Sequence, residues 1–478
     1  GICRGPQSAG LAAGQAPTGM DCDGIAPATG REACGAHARC GRSTINIAMN
    51  RFRILLLILL SLPAAAAPRL VRGPYLQLQT SNSMILRWRT DRETKGLVRY
   101  GLTPQTATNV VRHAGALSDH VVRIGGLRPD TRYFYSVGRE TNAWFNEPGD
   151  THSFLTAPST GAARPTRIWV IGDSGTANTN QYAVRDAFHS FSYGRLPDLW
   201  LMLGDNAYNV GTDRQYQKAV FDPYAWLLRQ SPLWPTLGNH DAGSANSPTQ
   251  SGVYYDVFTL PTQGQAGGLP SGTEAYYSFD FANIHFICLD SHDTDRSPNG
   301  AMAQWLRADL QSTARDWILC FFHHPPYTKG SHDSDNRADS AGRMAEMREN
   351  FLPILEEGGV DLVLAGHSHS YERSYLIDGA YGSSTNMTEA HFRNRGSGRA
   401  DADGSYDKPA GATPHQGAVY VVAGSSGQIS GGKLNHPAMY LSLNKLGSLI
   451  LDVEGPELNA TFINERAQVR DYFTMRKR

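Results

Sequence analysis

Leu362-Val-Leu-Ala-Gly-His-Ser-His-Ser-Tyr-Glu-Arg373 is an apolar run that turns, at a glycine, into two histidines one residue apart, His367 and His369. In extended backbone, residues two apart face the same side, so both imidazoles can address one small volume beyond a strand end. A lone His-x-His pair is structural about as often as it binds metal. Repetition upstream gives this one its weight. Arg167-Ile-Trp-Val-Ile171 runs into Gly172-Asp-Ser-Gly175, and Leu199-Trp-Leu-Met-Leu203 into Gly204-Asp-Asn-Ala-Tyr208. Leu233-Trp-Pro-Thr-Leu237 runs into Gly238-Asn-His-Asp241, and Ile318-Leu-Cys-Phe-Phe322 into His323-His-Pro-Pro-Tyr327.

Taken singly, each cluster has an ordinary explanation: Asp173 as a helix cap, Asn239 as a turn residue, Tyr208 as core, His323 as a satisfied buried histidine. Five apolar runs ending in carboxylate, phenol, amide and imidazole are not explained that way. Such a mixed set of hard and borderline donors suits two metal ions a few Å apart that share one carboxylate.

Working outward, apolar strands alternate with helical spacings at Val184, Ala187, Phe188 and Phe191, and at Met302, Trp305, Leu306 and Leu310. The alternation predicts an α/β domain over 165–478, with ligands gathering beyond the carboxyl ends of its strands. Residues 374–413, rich in Gly, Ser, Asp and Asn, read as a long surface loop, and strands return at 417–423 and 448–453. Ahead of a small linker lie short alternating segments: Met84-Ile-Leu-Arg-Trp-Arg89, Gly96-Leu-Val-Arg-Tyr100, Val121-Val-Arg-Ile124 and Thr131-Arg-Tyr-Phe-Tyr-Ser-Val137. They predict an all-β sandwich over 69–160. The run 127–137, with Ser153-Phe-Leu-Thr-Ala-Pro158 closing it, resembles a fibronectin type III domain. No catalytic cluster falls in this region, which reads as structural or docking.

With 44 Lys plus Arg against 44 Asp plus Glu, no global field draws the chain to nucleic acid or anionic lipid, so a small ligand recognised locally is the expected partner. Residues 1–48, with Cys3, Cys22, Cys34 and Cys40, read as disordered or as a leader, the alternative being a small cysteine-stapled module. Residues 49–66 read as a signal peptide: a basic start at Met49-Asn-Arg-Phe-Arg53, an apolar stretch too short to span a bilayer, and alanines for cleavage. The mature protein is thus expected to be secreted, extracellular or periplasmic, with no stable membrane insertion. Cys288 and Cys320, each inside a predicted strand, are two buried thiols or a disulfide pair.

The five strand ends resemble those of the purple acid phosphatases within the calcineurin-like metallophosphoesterase superfamily, over roughly 167–375. The resemblance implies that Asp173, Tyr208 and His369 hold one metal, that Asn239, His323 and His367 hold the other, and that Asp205 bridges them. His323 is preferred to His324 because the family writes His-x-Pro-x-aromatic. The wider superfamily carries a histidine ligand where this chain has Gly175, and Tyr208 replaces it with a hard anionic donor suited to Fe(III). The implied cofactors are Fe(III) plus a divalent Fe, Zn or Mn. The implied activity is acid phosphatase, hydrolysis of phosphate monoesters by metal-bound hydroxide. The rivals are a phosphodiesterase or nucleotide pyrophosphatase on the same site, and an extracellular binding protein with structural metals. His240, next to Asn239, and His332, nine residues past His323 (332 − 323 = 9) at a spacing where the family places a substrate-binding histidine, are the candidate proton donors. His324, His292 and His189 rank behind them.

Overall fold

The computed structural model describes residues 66–140 and 143–478. The expected leader over 1–48 lies outside them, as does the expected signal peptide over 49–66 apart from its last residue. Among the described residues no helix is long and apolar enough to cross a membrane.

The N-terminal part is antiparallel: β1 (Leu70–Gln77), β2 (Ser83–Gly101), β3 (Asn109–Gly125), β4 (Arg132–Arg139) and β5 (Ser153–Leu155). The first half of β2 lies between β1 and the end of β3, with Leu86 opposite Leu76 and Val122. Its second half lies between β4 and the start of β3, with Val98 opposite Val137 and Val111. The segments expected separately at 84–89 and 96–100 are therefore two halves of one strand, joined across a register shift between Arg89 and Thr94. Asp91, Arg92 and Glu93 carry the chain through as exposed residues, with no glycine or proline to turn it. Leu76, Trp88, Tyr135, Val137 and Phe154 bury one another in a single cluster.

This part is fastened to the rest by charge and backbone. Arg72 and Arg89 both reach Asp213, at 2.9 and 2.8 Å, and the Gln77 amide donates to the carbonyl of Leu233 at 2.9 Å.

The remainder holds β6 (Thr166–Ile171), α1 (Thr179–Phe191), β7 (Leu199–Met202), β8 (Leu233–Pro235), β9 (Tyr277–Phe281), β10 (Ile284–Cys288), α2 (Ala301–Ser312), β11 (Trp317–Phe322) and β12 (Leu362–Ala365). It continues with β13 (Tyr371–Ser374), β14 (Val419–Ala423), β15 (Met439–Leu443), β16 (Gly447–Glu454), β17 (Glu457–Asn464) and β18 (Val469–Lys477). One sheet runs β8-β7-β6-β16-β17-β18, with Tyr406–Lys408 beyond its edge; the other runs β9-β10-β11-β12-β14-β13-β15. Their inner faces meet, as Trp234 stacking on Phe279 at 3.7 Å and Tyr371 on Phe462 at 3.9 Å demonstrate. Helix α1 covers an outer face through Phe188 on Trp169 at 4.4 Å, and α2 buries Met302, Trp305, Leu306 and Leu310 as their spacing predicted. Strands covered on both faces explain the near-continuous apolar runs.

Of the two readings left open for the cysteines the structure has the buried thiols, and the loop expectation changes. Cys288 and Cys320 are free buried thiols, set out of register on neighbouring strands: Cys288 faces Phe321, and Cys320 faces Ile287. The segment read as a surface loop over 374–413 carries buried anchors, Leu376, Ile377, Ala380 and Tyr406, and the Lys408 ammonium buried 2.7 Å from Asp361. Its Gly- and Ser-rich composition masks those few anchors.

Candidate metal centre

Strands β6, β7 and β8 run parallel in one sheet and β11 and β12 run parallel in the other, and the polar clusters past their carboxyl ends meet in one place. The Tyr208 hydroxyl lies 3.3 Å from Asp173 Oδ1, 3.1 Å from Asp205 Oδ2 and 3.3 Å from His369 Nε2. Beside that group, His323 Nε2 lies 3.0 Å from Asn239 Oδ1, 3.4 Å from Asp205 Oδ1 and 3.2 Å from His367 Nδ1. Asp205 turns one oxygen to each group.

The backbone works to present these side chains. Asp173, Asp205 and His367 all sit in the left-handed region, at φ 54°, 51° and 65°. For residues with a Cβ this is uncommon and needs surrounding structure to hold it. His367 N–H donates to Asp173 Oδ2 at 2.7 Å and His240 N–H to Asp205 Oδ1 at 2.9 Å. His323 Nδ1–H donates to the Leu203 carbonyl at 2.8 Å, which fixes the tautomer and leaves Nε2 bare toward the cluster. At Gly175 a Cβ would fall 2.3 Å from the backbone of Asn206, so no side chain fits there.

Ionisation follows from burial. Burial drives the Asp205 carboxyl above its ordinary range, with His240 opposing. Burial, then the charges of Asp173 and Asp205, drives the Tyr208 phenol far up. Burial lowers His323 to about 4 and His367 well below its usual value. For His369 burial also pulls downward, but the hydrogen bond and charge of Asp173 outweigh it and the net shift is upward. Two buried carboxylates, a phenol and three imidazoles crowded together, with bare nitrogens and oxygens converging, are the environment that cations would neutralise. The donor chemistry therefore fits a pair of metal ions.

His240 and His332 both border this cluster. His240 Nδ1–H donates to the Asn209 carbonyl at 2.6 Å, its ring lies 4.5 Å from that of Tyr208, and its Nε2 is 3.9 Å from Asp205. His332 stacks on His367 with ring centroids 3.9 Å apart. His324 is buried against His367 and bonded to Ser291 at 2.9 Å, and His292 stacks behind it. His189 stands apart from the cluster, on α1 beside Trp226.

Other contributors escaped sequence reasoning. Asp241 is buried and accepts from the N–H groups of Gly238 and Asn206 and from the Tyr216 hydroxyl, bracing both loops. Burial and then Asp205 push its carboxyl up to about 7. Gln428 and Ser430 touch His369 at 3.2 and 2.8 Å. They follow β14, a sixth apolar run ending in glycine, and that pattern was the available signal; the loop lacks ligand-type side chains.

Residues 166–371 match the calcineurin-like phosphoesterase family and residues 71–156 match the purple acid phosphatase N-terminal domain. An uncharacterized protein of Mycobacterium tuberculosis is 28% identical over 357 residues, covering 66% of this chain and 64% of its own length. Purple acid phosphatase 18 of Arabidopsis thaliana is 28% identical over 325 residues, covering 64% of this chain and 66% of its own. The chain thus spans a little under two thirds of these relatives. Purple acid phosphatase from yellow lupin seeds shares the fold at TM-score 0.60 and 17% identity, covering 86% of this chain and 74% of that one. PhoD shares it at TM-score 0.56 and 15% identity, covering 85% and 90%. With both domains matched in order, the chain carries a purple acid phosphatase N-terminal domain followed by a calcineurin-like phosphoesterase domain.

Proposed function

We propose that the chain is an exported dinuclear metallophosphoesterase that hydrolyses phosphate monoesters. Its domains would be a fibronectin type III-like sandwich over 69–160 and a catalytic domain over 165–478. In this reading Asp173, Tyr208 and His369 hold Fe(III), while Asn239, His323 and His367 hold a divalent Fe, Zn or Mn. The observation that carries the reading is Asp205, with Oδ2 at 3.1 Å from Tyr208 and Oδ1 at 3.4 Å from His323, the posture of a bridging carboxylate. The strand pairing of β1 to β5, with the first half of β2 against β1, its second half against β4 and β3 following both halves, supports the sandwich.

Two bound cations supply Lewis-acid polarisation of the phosphoryl oxygens, charge neutralisation and a more acidic water. The protein's own part is orientation and proton handling. His240, anchored through Nδ1, turns Nε2 toward the Tyr208 side of the cluster, and His332 lies over His367 on the other. In this reading both hold a phosphate and, from a protonated ring, donate to a departing alkoxide. Assays on an aryl phosphate, a bis-aryl phosphate and a nucleotide, metal-replete and after chelation, test this. Chelation-sensitive turnover of the monoester above the others is expected. Preference for the diester or nucleotide would move the activity to the rival enzymes, and no turnover would leave a binding protein.

A further inference from the structure

Asp339, Ser340, Ala341 and Gly342 lie beside the cluster in an unusual backbone. Ser340, Ala341 and Gly342 follow one another in the left-handed region, at φ 52°, 53° and 82°. Two successive non-glycine residues of that kind persist only where neighbours hold them. Ser340 Oγ lies 2.6 Å from His367 Nε2 and donates to Asp339 Oδ1 at 2.9 Å. The same Oδ1 lies 2.8 Å from His332 Nδ1, while Oδ2 accepts the Asp333 N–H at 2.9 Å. Arg343 closes the turn on the Ser340 carbonyl at 3.0 Å and reaches the His292 carbonyl at 2.9 Å.

The protons in this chain are determined by its ends. His367 turns Nδ1 to His323, 3.2 Å away inside the cluster, so its proton belongs on Nε2 and is donated to Ser340 Oγ. The single hydroxyl proton of Ser340 then goes to Asp339. Asp339 Oδ1 receives a second donor, His332 Nδ1–H, so the proton that His332 gives to a leaving group is the one its doubly protonated ring carries on Nε2. From His367 Nε2 to His332 Nδ1 each donor meets an acceptor, while the two nitrogens that face each other inside the cluster, His367 Nδ1 and His323 Nε2, are left bare for metal in the reading given above.

We propose that Asp339 and Ser340 are positioning residues: one carboxylate, acting directly on His332 and through the Ser340 hydroxyl on His367, fixes the tautomers of both histidines and ties the metal-site imidazole to the proton-donating one. The proposal rests on the metal and proton-donor roles given above. It gives the strained turn a purpose, since that backbone brings Oγ and the carboxylate to two stacked rings at once. His332, Asp339 and His367 also lie close enough together to take a cation directly, and this is the alternative that the test must separate.

The experiment uses the full chain as wild type, Ser340→Ala, Ser340→Gly, Ser340→Thr and Asp339→Asn. Three quantities are read: metals per chain under chelator competition, kcat and KM on alkyl and aryl phosphates, and imidazole ¹⁵N shifts in the metal-free protein. Loss of a partner behind a ligating histidine weakens metal binding by about 10–100-fold, so Ser340→Ala and Ser340→Gly should weaken one of two ions to that extent. Ser340→Thr should restore it. Asp339→Asn should keep kcat on aryl phosphates within a few-fold, lower it about tenfold or more on alkyl phosphates, and move the His332 ¹⁵N signals away from the Nδ1–H form.

Ser340→Gly separates the roles, because glycine relieves the backbone strain while removing the hydroxyl. Full metal binding in Ser340→Gly, unchanged ¹⁵N shifts in Asp339→Asn, or a third ion per chain overturns the relay. If the wild type itself neither binds metal nor turns over phosphate, the functional reading fails. The ¹⁵N shifts of the metal-free protein then decide the relay by themselves.

Discussion

The backbone N–H of Tyr208 donates to the carbonyl of Gly175 at 2.9 Å, so the two positions exchanged in the proposed ligand set are hydrogen-bonded to each other. A Cβ at 175 would lie 2.3 Å from the Asn206 carbonyl carbon and 2.4 Å from the Ala207 nitrogen, neither of which can move alone. Gly175→His is therefore expected to install no ligand. It should displace 206–208, lower stability by about 1–3 kcal/mol as overpacking does, and release metal. A Gly175→His protein that melts with the wild type and holds two ions contradicts this.

Tyr208 carries the second expectation. Buried against Asp173 and Asp205, its phenol stays protonated unless a strong Lewis acid takes the proton's place. Iron-loaded protein should show a visible tyrosinate-to-iron charge-transfer band, and Tyr208→Phe should lose it while remaining folded. A colourless wild type, or a band that survives the substitution, removes Tyr208 from the iron site.

Asp205 faces both groups with different oxygens. Asp205→Ala leaves two cations at short range without their shared anion, so metal and activity should go together. Metal analysis returning two ions per chain would show that the carboxylate does not bridge.

His240 should behave differently, since it borders the cluster without joining it. His240→Ala is expected to retain both metals and lose on the order of 10² in kcat, most severely on alkyl phosphates, whose alkoxides need a proton. Equal losses on aryl and alkyl substrates would assign it to phosphate positioning.

The α/β alternation and the convergence of five strand ends were legible in the sequence because burial on both faces and polar clusters at the carboxyl ends are written in consecutive residues. Contacts made across the chain were not. Asp241 ends the quoted run 238–241 without a role of its own, and only the fold shows it accepting from Gly238, Asn206 and Tyr216. Ser340 sits in an unremarkable polar stretch, and its approach to His367 depends on three left-handed residues that no pattern of Ser, Ala and Gly announces. The single strand through 83–101 was hidden for the opposite reason: exposed polar residues in mid-strand look like a turn.

His285 carries the last expectation, one about stability. On β10 its buried imidazole sits between Asp280 Oδ1 at 2.7 Å and Asp309 Oδ2 at 2.9 Å. Burial alone would lower its pKa; hydrogen bonds to Asp280 and Asp309, with their charges, overcome that and raise it to about 9. In the unfolded chain the value returns to about 6.5. The folded state then holds the proton more tightly. Stability from this group is fully present below about pH 6.5 and is lost as pH rises through about 9, a difference on the order of 3 kcal/mol. Denaturant unfolding with metals saturating should show the gap between wild type and His285→Gln narrowing across that window. A gap that stays constant from pH 6 to beyond pH 9, or widens, would mean that the imidazole is held neutral between its two carboxylates.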